Sequence, residues 1–326
     1  AKLFDFVVDN QSIEFDSDTS NMVQNMKMKG SEENDRFYAY LKFLNLKQGE
    51  AARIKSDEDL VNQQREEQLL ALDKEVRAYI DNLHATYPGY FTSNFIYSIE
   101  QPRVPEAPRN PDGSMVDSNF RFNYYKAHYF DNFDFSDKRL LRTNSFHNKI
   151  YYYIDKLTLQ DPDSLIAAAD YILKKAEANE ELFRYALTNL TSRYERSEKM
   201  GMDAVFVHLG KNYFMKGKAD EWFSKKQLKE LSERVMALDP LLIGKKAPNI
   251  VVKDTAQKEF LQLYDIKSKF TIVYIWSPDC GHCKKATPKL KVIYDKYKDQ
   301  GVEVFGVGNE FENEEWNKFI IKHELD

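Results

Sequence analysis

The chain has 326 residues, 42% hydrophobic and 14% aromatic, with 47 Lys and Arg against 52 Asp and Glu, a net charge of −5. That length suits two or three domains with a sizeable core. No long basic block favours nucleic acid, no apolar run reaches the ~18 residues of a membrane span, and two cysteines alone fix no redox compartment.

The chain opens at Ala1, with no methionine and no signal peptide ahead of an apolar stretch. It is expected to be a mature or trimmed protein whose targeting segment is not shown. Residues 3–8 and 12–16 run apolar or alternate around Asp9-Asn10-Gln11, which signals a β hairpin. A lone hairpin is marginal in water, so these strands are expected to finish a larger sheet. Met22, Met26 and Met28 read as flexible core filler rather than soft-metal ligands.

After Gly30, helices are expected to take over. Ser56 with Asp59 suggests a capping box for a long helix to about Ala85, its apolar face carrying Leu69, Leu72, Val76, Tyr79, Ile80 and Leu83. Pro88-Gly89 ends it, and a short helix over about 93–99 follows. Residues 101–117 hold four prolines and read as an irregular connector lying on the helical part. The aromatic stretch 120–135 suggests helix-packing core with tyrosine hydroxyls at its rim, against the sharper reading of a peptide or apolar-ligand cleft. His128, His147 and His208 are isolated, which suits packed or surface histidines. From Asp161-Pro162, an N-cap followed by proline, four helices with short connections predict antiparallel packing to about residue 240. No consistent tetratricopeptide signature appears, so this is read as an irregular helical domain, an interaction or spacer module.

The last segment holds both cysteines, Cys280 and Cys283, two residues apart. The apolar run 270–276 predicts a strand buried on both faces, leading through a turn to a helix that starts at the cysteines. Residues 250–252 and 260–261 predict a lead-in hairpin, and 302–307 the next parallel strand, giving a right-handed βαβ unit with a further helix from about Glu314. Three readings of the cysteines compete. A redox dithiol would place Cys280 at a helix N-terminus, where free N–H groups and the helix dipole favour a thiolate, with Cys283 shielded one turn in. A structural zinc site wants four ligands, and a structural disulfide across so short a loop gains little.

The segment resembles the active site of the thioredoxin superfamily. Trp276 stands four residues before Cys280, Lys284 follows Cys283, and Pro288 lies five beyond it. Gly244-Lys245-Lys246-Ala247-Pro248 resembles the entry of the TlpA/ResA and peroxiredoxin-like branch, and Pro-Asp-Cys-Gly-His-Cys fits TlpA/ResA better than a peroxiredoxin. Gly281-His282 is the dipeptide found in protein disulfide isomerases. The resemblance implies an α/β plus α chain in three parts: residues 1–30 as the tail of a small β domain, 31–240 as the helical domain, and 241–326 as a thioredoxin-like domain without its C-terminal hairpin and helix. The 1–30 region is similar to one that precedes the helical part in Gram-negative envelope thioredoxin-like proteins.

Function follows from that resemblance as an expectation. It implies a thiol-disulfide oxidoreductase of the periplasm or cell envelope, acting on protein thiols and disulfides, with a membrane redox partner and no cofactor, metal or nucleic acid. Cys280 and Cys283 would carry the chemistry, supported or tuned by His282, Trp276, Lys284 and Pro288. His282 and Lys284 would lower the Cys280 thiol pKa and make the couple less reducing than a C-G-P-C site. Tyr274 stands where classical thioredoxins place a buried acid, so no general base is named beyond Glu303, Glu310 or water. The alternative is a non-catalytic binding or scaffold protein whose thioredoxin-like part is structural.

Overall fold

A computed structural model describes residues 4–8, 12–18, 20–254, 258–309 and 313–325. The chain divides between Asp239 and Pro240 into two compact units. Among the described residues no helix is long and apolar enough to cross a membrane.

The first unit opens on a small antiparallel pair, β1 (Glu14–Asp16) and β2 (Lys27–Lys29), with the short helix α1 (Met22–Asn25) between them. This corrects the expected hairpin: β1 pairs with β2, and residues 4–8 form no strand. The turn expected at Asp9-Asn10-Gln11 lies outside the described residues. Residues 4–8 are instead held by a side chain. Asn34, fully buried, accepts from the Val7 N–H at 2.8 Å and donates to its carbonyl at 2.7 Å. Buried backbone groups need such partners, and the amide satisfies both. Met26 is buried, as filler should be.

Helices α2 (Glu32–Ser56), α3 (Asn62–Thr86) and α4 (Phe91–Ile99) meet around Tyr40, Ile80, Leu83 and Ile96. Of the apolar stripe expected on α3, Val76, Tyr79, Ile80 and Leu83 meet this cluster, while Leu69 and Leu72 are half-buried outside it. The expected cap is not there. Ser56 is the last residue of α2, its hydroxyl donating to the Arg53 carbonyl, and α3 starts without a side-chain cap. Arg65 reaches back across the turn to the Asp57 and Leu60 carbonyls at 2.7 and 2.9 Å. Those bonds fix the turn, while Ser56 stays inside α2 and α3 opens later, at Val61.

Helices α5 (Phe120–Ala127), α6 (Ser145–Lys156), α7 (Pro162–Ala176), α8 (Glu180–Glu195), α9 (Asp203–Leu209) and α10 (Lys225–Leu238) complete the unit. Their starts follow local rules. Asp161 accepts from the Ser164 N–H with Pro162 at the first turn, and Ser224 and Gln227 form a capping box. The aromatic stretch is core: Tyr129, Phe130, Phe133 and Phe135 are buried, while Phe122 is exposed. Gly210 is required where α9 runs into a π-helical turn, since a Cβ there would sit 2.3 Å from Val235 Cγ2 of α10. Each isolated histidine has a partner within the fold: His128 with Asp131, His147 with the Tyr185 hydroxyl, His208 with Asp170.

The second unit holds an antiparallel pair, β3 (Val251–Lys253) and β4 (Phe260–Gln262), and a parallel pair, β5 (Phe270–Trp276) and β6 (Val302–Gly308), joined through α11 (Gly281–Tyr297). In the parallel register Tyr274 faces Gly306 and Trp276 faces Gly308. A left-handed Gly301, φ 89°, turns the chain from α11 into β6. Helix α12 (Asn313–Lys322) brings Trp316 and Phe319 onto Trp276, at ring separations of 6.0 and 4.7 Å. Gly308 permits this, because a Cβ there would overlap the Trp316 ring. One expectation fails. β5 is not buried on both faces: Phe270 is 60% exposed and Ile275 63%. Its only strand neighbour among the described residues is β6, so one side of a strand patterned for a sheet interior stays open.

Candidate active site around Cys280 and Cys283

Strand β5 ends at the buried Trp276, and a turn follows in which the Cys280 N–H donates to the Ser277 carbonyl at 3.2 Å. Pro278 is buried within that turn. Cys280 is then the N-cap of α11, with extended backbone (φ −70°, ψ 112°), and its sulfur accepts from the Cys283 N–H at 3.2 Å. A thiol thus fills the place a serine or aspartate usually takes. Both cysteines are free thiols, each half-buried.

The Cys280 thiol is held below its ordinary value. The largest cause is the hydrogen bond with the Cys283 side chain, followed by the Cys283 N–H; desolvation opposes these, and the His282 N–H and the Lys284 charge add lesser support. A thiol with a depressed pKa carries more of the nucleophilic thiolate near neutral pH. The other residues singled out in the sequence fall as follows. The His282 side chain is exposed, and it is this residue's N–H that acts on Cys280. Lys284 and Pro288 are exposed on α11, the proline inside the helix. Trp276 is buried against Trp316 and Phe319 of α12.

Sequence reasoning missed Thr287. Its side chain is buried, donates to the Cys283 carbonyl at 2.9 Å, and lies 2.7 Å from the Tyr274 hydroxyl. The i, i+4 spacing from Cys283 was a readable signal for the first contact. Tyr274 and Thr287 also line a cavity of about 330 Å³ shared with Trp276, Leu290, Phe305 and Trp316. Of the bases considered, Glu303 lines the same cavity, and Glu310 lies outside the described residues.

A buried tryptophan, a cysteine capping a helix and a second cysteine one turn in define the thioredoxin-like class, and the comparisons agree. Residues 243–326 match the AhpC/TSA family. Curated relatives over this segment are the thiol-disulfide oxidoreductase ResA of Bacillus cereus, 32% identical over 27% of this chain and 50% of that protein, and ResA of Bacillus subtilis, 39% identical over 20% and 35%. The chain thus spans half or less of the length of the curated relatives it matches. A crystal structure described as a thioredoxin-like protein from Bacteroides caccae aligns over 69% of this chain and 79% of its own, with a TM-score of 0.48 and 17% identity. The second unit is thioredoxin-like, of the TlpA/ResA type. The first unit carries the wider assignment: residues 62–237 match a domain of unknown function, DUF5106. That is more than half of the sequence, and the chain belongs to this family.

Proposed function

We propose that the protein is a thiol-disulfide oxidoreductase that exchanges disulfides with protein substrates through Cys280 and Cys283. The observation that carries this is the half-buried Cys280 sulfur capping α11, held below its ordinary pKa by Cys283. In the reducing direction the Cys280 thiolate attacks a substrate disulfide, forming a mixed disulfide and expelling one substrate sulfur as thiolate. Cys283 gives its proton to solvent, and its thiolate attacks the Cys280 sulfur. The Cys280–Cys283 bond forms, the bond to substrate breaks, and the second substrate sulfur leaves as thiolate and is protonated by solvent. Two electrons pass from the dithiol to the substrate. We place this activity in the periplasm or cell envelope, with a membrane redox partner resetting the pair. The helical unit, 31–240 in this reading, selects substrate or partner, and residues 1–30 belong to a small β domain. The ResA likeness of the second unit supports the exchange activity, and the rest of the reading extends from it.

The experiment is equilibration of the intact protein against redox buffers of graded potential. The expected result is a single two-electron transition between the dithiol and one internal Cys280–Cys283 disulfide. Thiols that oxidise independently, each capped by buffer thiol with no internal disulfide, would remove the proposal.

A further inference from the structure

Resting on that reading, we infer that Thr287 is a positioning residue: its hydroxyl ties the first turn of α11 to β5 and so keeps the Cys283 N–H on the Cys280 sulfur. The need for a tie comes from Pro288, which lies inside α11. Proline has no N–H, so the Lys284 carbonyl four residues back receives no helical bond from it, and the ring presses on that same carbonyl. The turn that carries both cysteines is therefore joined to the rest of the helix by one bond fewer, at the residue next to Cys283.

Thr287, immediately before the proline, supplies a replacement from its side chain. It is buried, and its hydroxyl donates to the Cys283 carbonyl at 2.9 Å. A hydroxyl has one hydrogen, so in the 2.7 Å contact with Tyr274 the phenol is the donor. The bonds run in one direction, from Tyr274 to Thr287 to the Cys283 carbonyl, and each polarises the next. A threonine bonded back to the preceding turn bends a helix, and so does a proline. The Tyr274 bond sets where the bent turn points, because the phenol belongs to β5, paired with β6 along its whole length. One oxygen thus joins the strand to the turn in which the Cys283 N–H meets the Cys280 sulfur at 3.2 Å. The groups acting on that sulfur are Cys283, the His282 N–H and Lys284 of α11, with Asp279 beside it in the chain and Tyr274 on β5. Lys253, Asp254, Lys291, Tyr294 and Glu303 line the cavity next to Thr287. Threonine carries no charge, so its replacement by valine removes none of these groups. A change in Cys280 reactivity on that replacement reports geometry, not a lost charge.

The test follows the pH profile of Cys280 alkylation by iodoacetamide in the intact, reduced protein, with the modified residue identified by mass spectrometry. Thr287→Val keeps the branched shape and removes the hydroxyl. It should move the profile up by roughly half a pH unit to one unit, a threefold to tenfold loss of rate near neutral pH with the high-pH plateau unchanged. Thr287→Ser restores the hydroxyl and should return the profile to its parent. Tyr274→Phe cuts the tie at its other end, leaves the Cys283 carbonyl bonded, and should give a smaller shift in the same direction. The double variant should shift no further than Thr287→Val alone, because the two side chains act in series. A Thr287→Val profile that superimposes on its parent would overturn the inference. So would a serine variant shifted as far as the valine one, or shifts that add in the double variant. No disulfide substrate enters these measurements, so their outcome is separate from the redox equilibration that tests the oxidoreductase itself.

Discussion

Cys280→Ser should lower disulfide-exchange activity by about a thousandfold or more, to the rate of the solution reaction. The loss follows from chemistry rather than folding. Serine is among the preferred N-cap residues, so its hydroxyl can accept the Cys283 N–H that the sulfur accepts now, and α11 keeps its start. What disappears is the thiolate favoured by Cys283, the first-turn N–H groups and Lys284. Reduction of insulin disulfides by the intact protein, with circular dichroism of the variant alongside, separates the two effects. An unchanged spectrum with activity at background is expected. Activity retained in the serine variant would mean that another group attacks the substrate.

A second large effect is expected from pH, through Lys149 of α6. Its side chain is 5% exposed, donates to the Tyr129 and Glu100 carbonyls at 3.3 and 3.5 Å, and lies over the Tyr129 ring. Burial, partly opposed by the Glu100 charge, pushes its pKa from 10.5 down to about 8. Between those values the unfolded chain binds a proton that the folded chain has released, so stability rises with pH across the window. Integrated from about pH 8 to about pH 10, the gain is about 2 kcal/mol. Between about pH 9 and pH 10 the sign reverses. Tyr125, Tyr153 and Tyr194 are pushed up to about 12 by burial, so they keep protons that the unfolded chain loses at its ordinary 10.0. Urea unfolding followed by far-ultraviolet circular dichroism should therefore show a maximum between about pH 9 and pH 10 for the helical unit. Lys149→Met, of similar shape and without charge, should flatten the rising limb. The cost of leaving two carbonyls without a donor shifts the whole curve and does not change its slope. A rising limb of equal steepness in the methionine variant would assign the effect elsewhere.

The second unit was legible wherever a short stretch carries its own reason for its shape. An apolar run, a turn, two cysteines one helical turn apart and a valine-rich strand prescribe β5, α11 and β6 almost residue for residue. Asp161-Pro162 did the same for α7. What sequence could not show are bonds made across long distances in the chain. Helix α4 has no capping side chain of its own; the Glu33 carboxylate, 58 residues earlier, accepts from the Phe91 and Thr92 N–H groups at 2.7 and 2.8 Å. Ser56 looked like a cap because serine is a good one, yet α2 runs through it and Arg65 ties down the turn that follows by donating to the Asp57 and Leu60 carbonyls. The exposure of β5 was misjudged for a related reason: its composition reports the burial it suits, while its actual burial depends on its neighbours. At the site, the cysteines and Trp276 were readable, and the role of Thr287 was not. Its helical spacing placed it over Cys283, but only the position of β5 against α11 shows that Tyr274 reaches it.

The central claim is that Cys280 and Cys283 act in sequence, one forming a bond to substrate and the other releasing it. Trapping tests this most directly. With Cys283→Ser the resolving sulfur is gone, so the intact protein, reduced and mixed with a disulfide-bonded protein substrate, should accumulate a covalent complex. That complex should be cleaved by dithiothreitol and absent from the variant that also carries Cys280→Ser. A Cys283→Ser protein that forms no such complex, or forms one that persists without Cys280, would contradict the account.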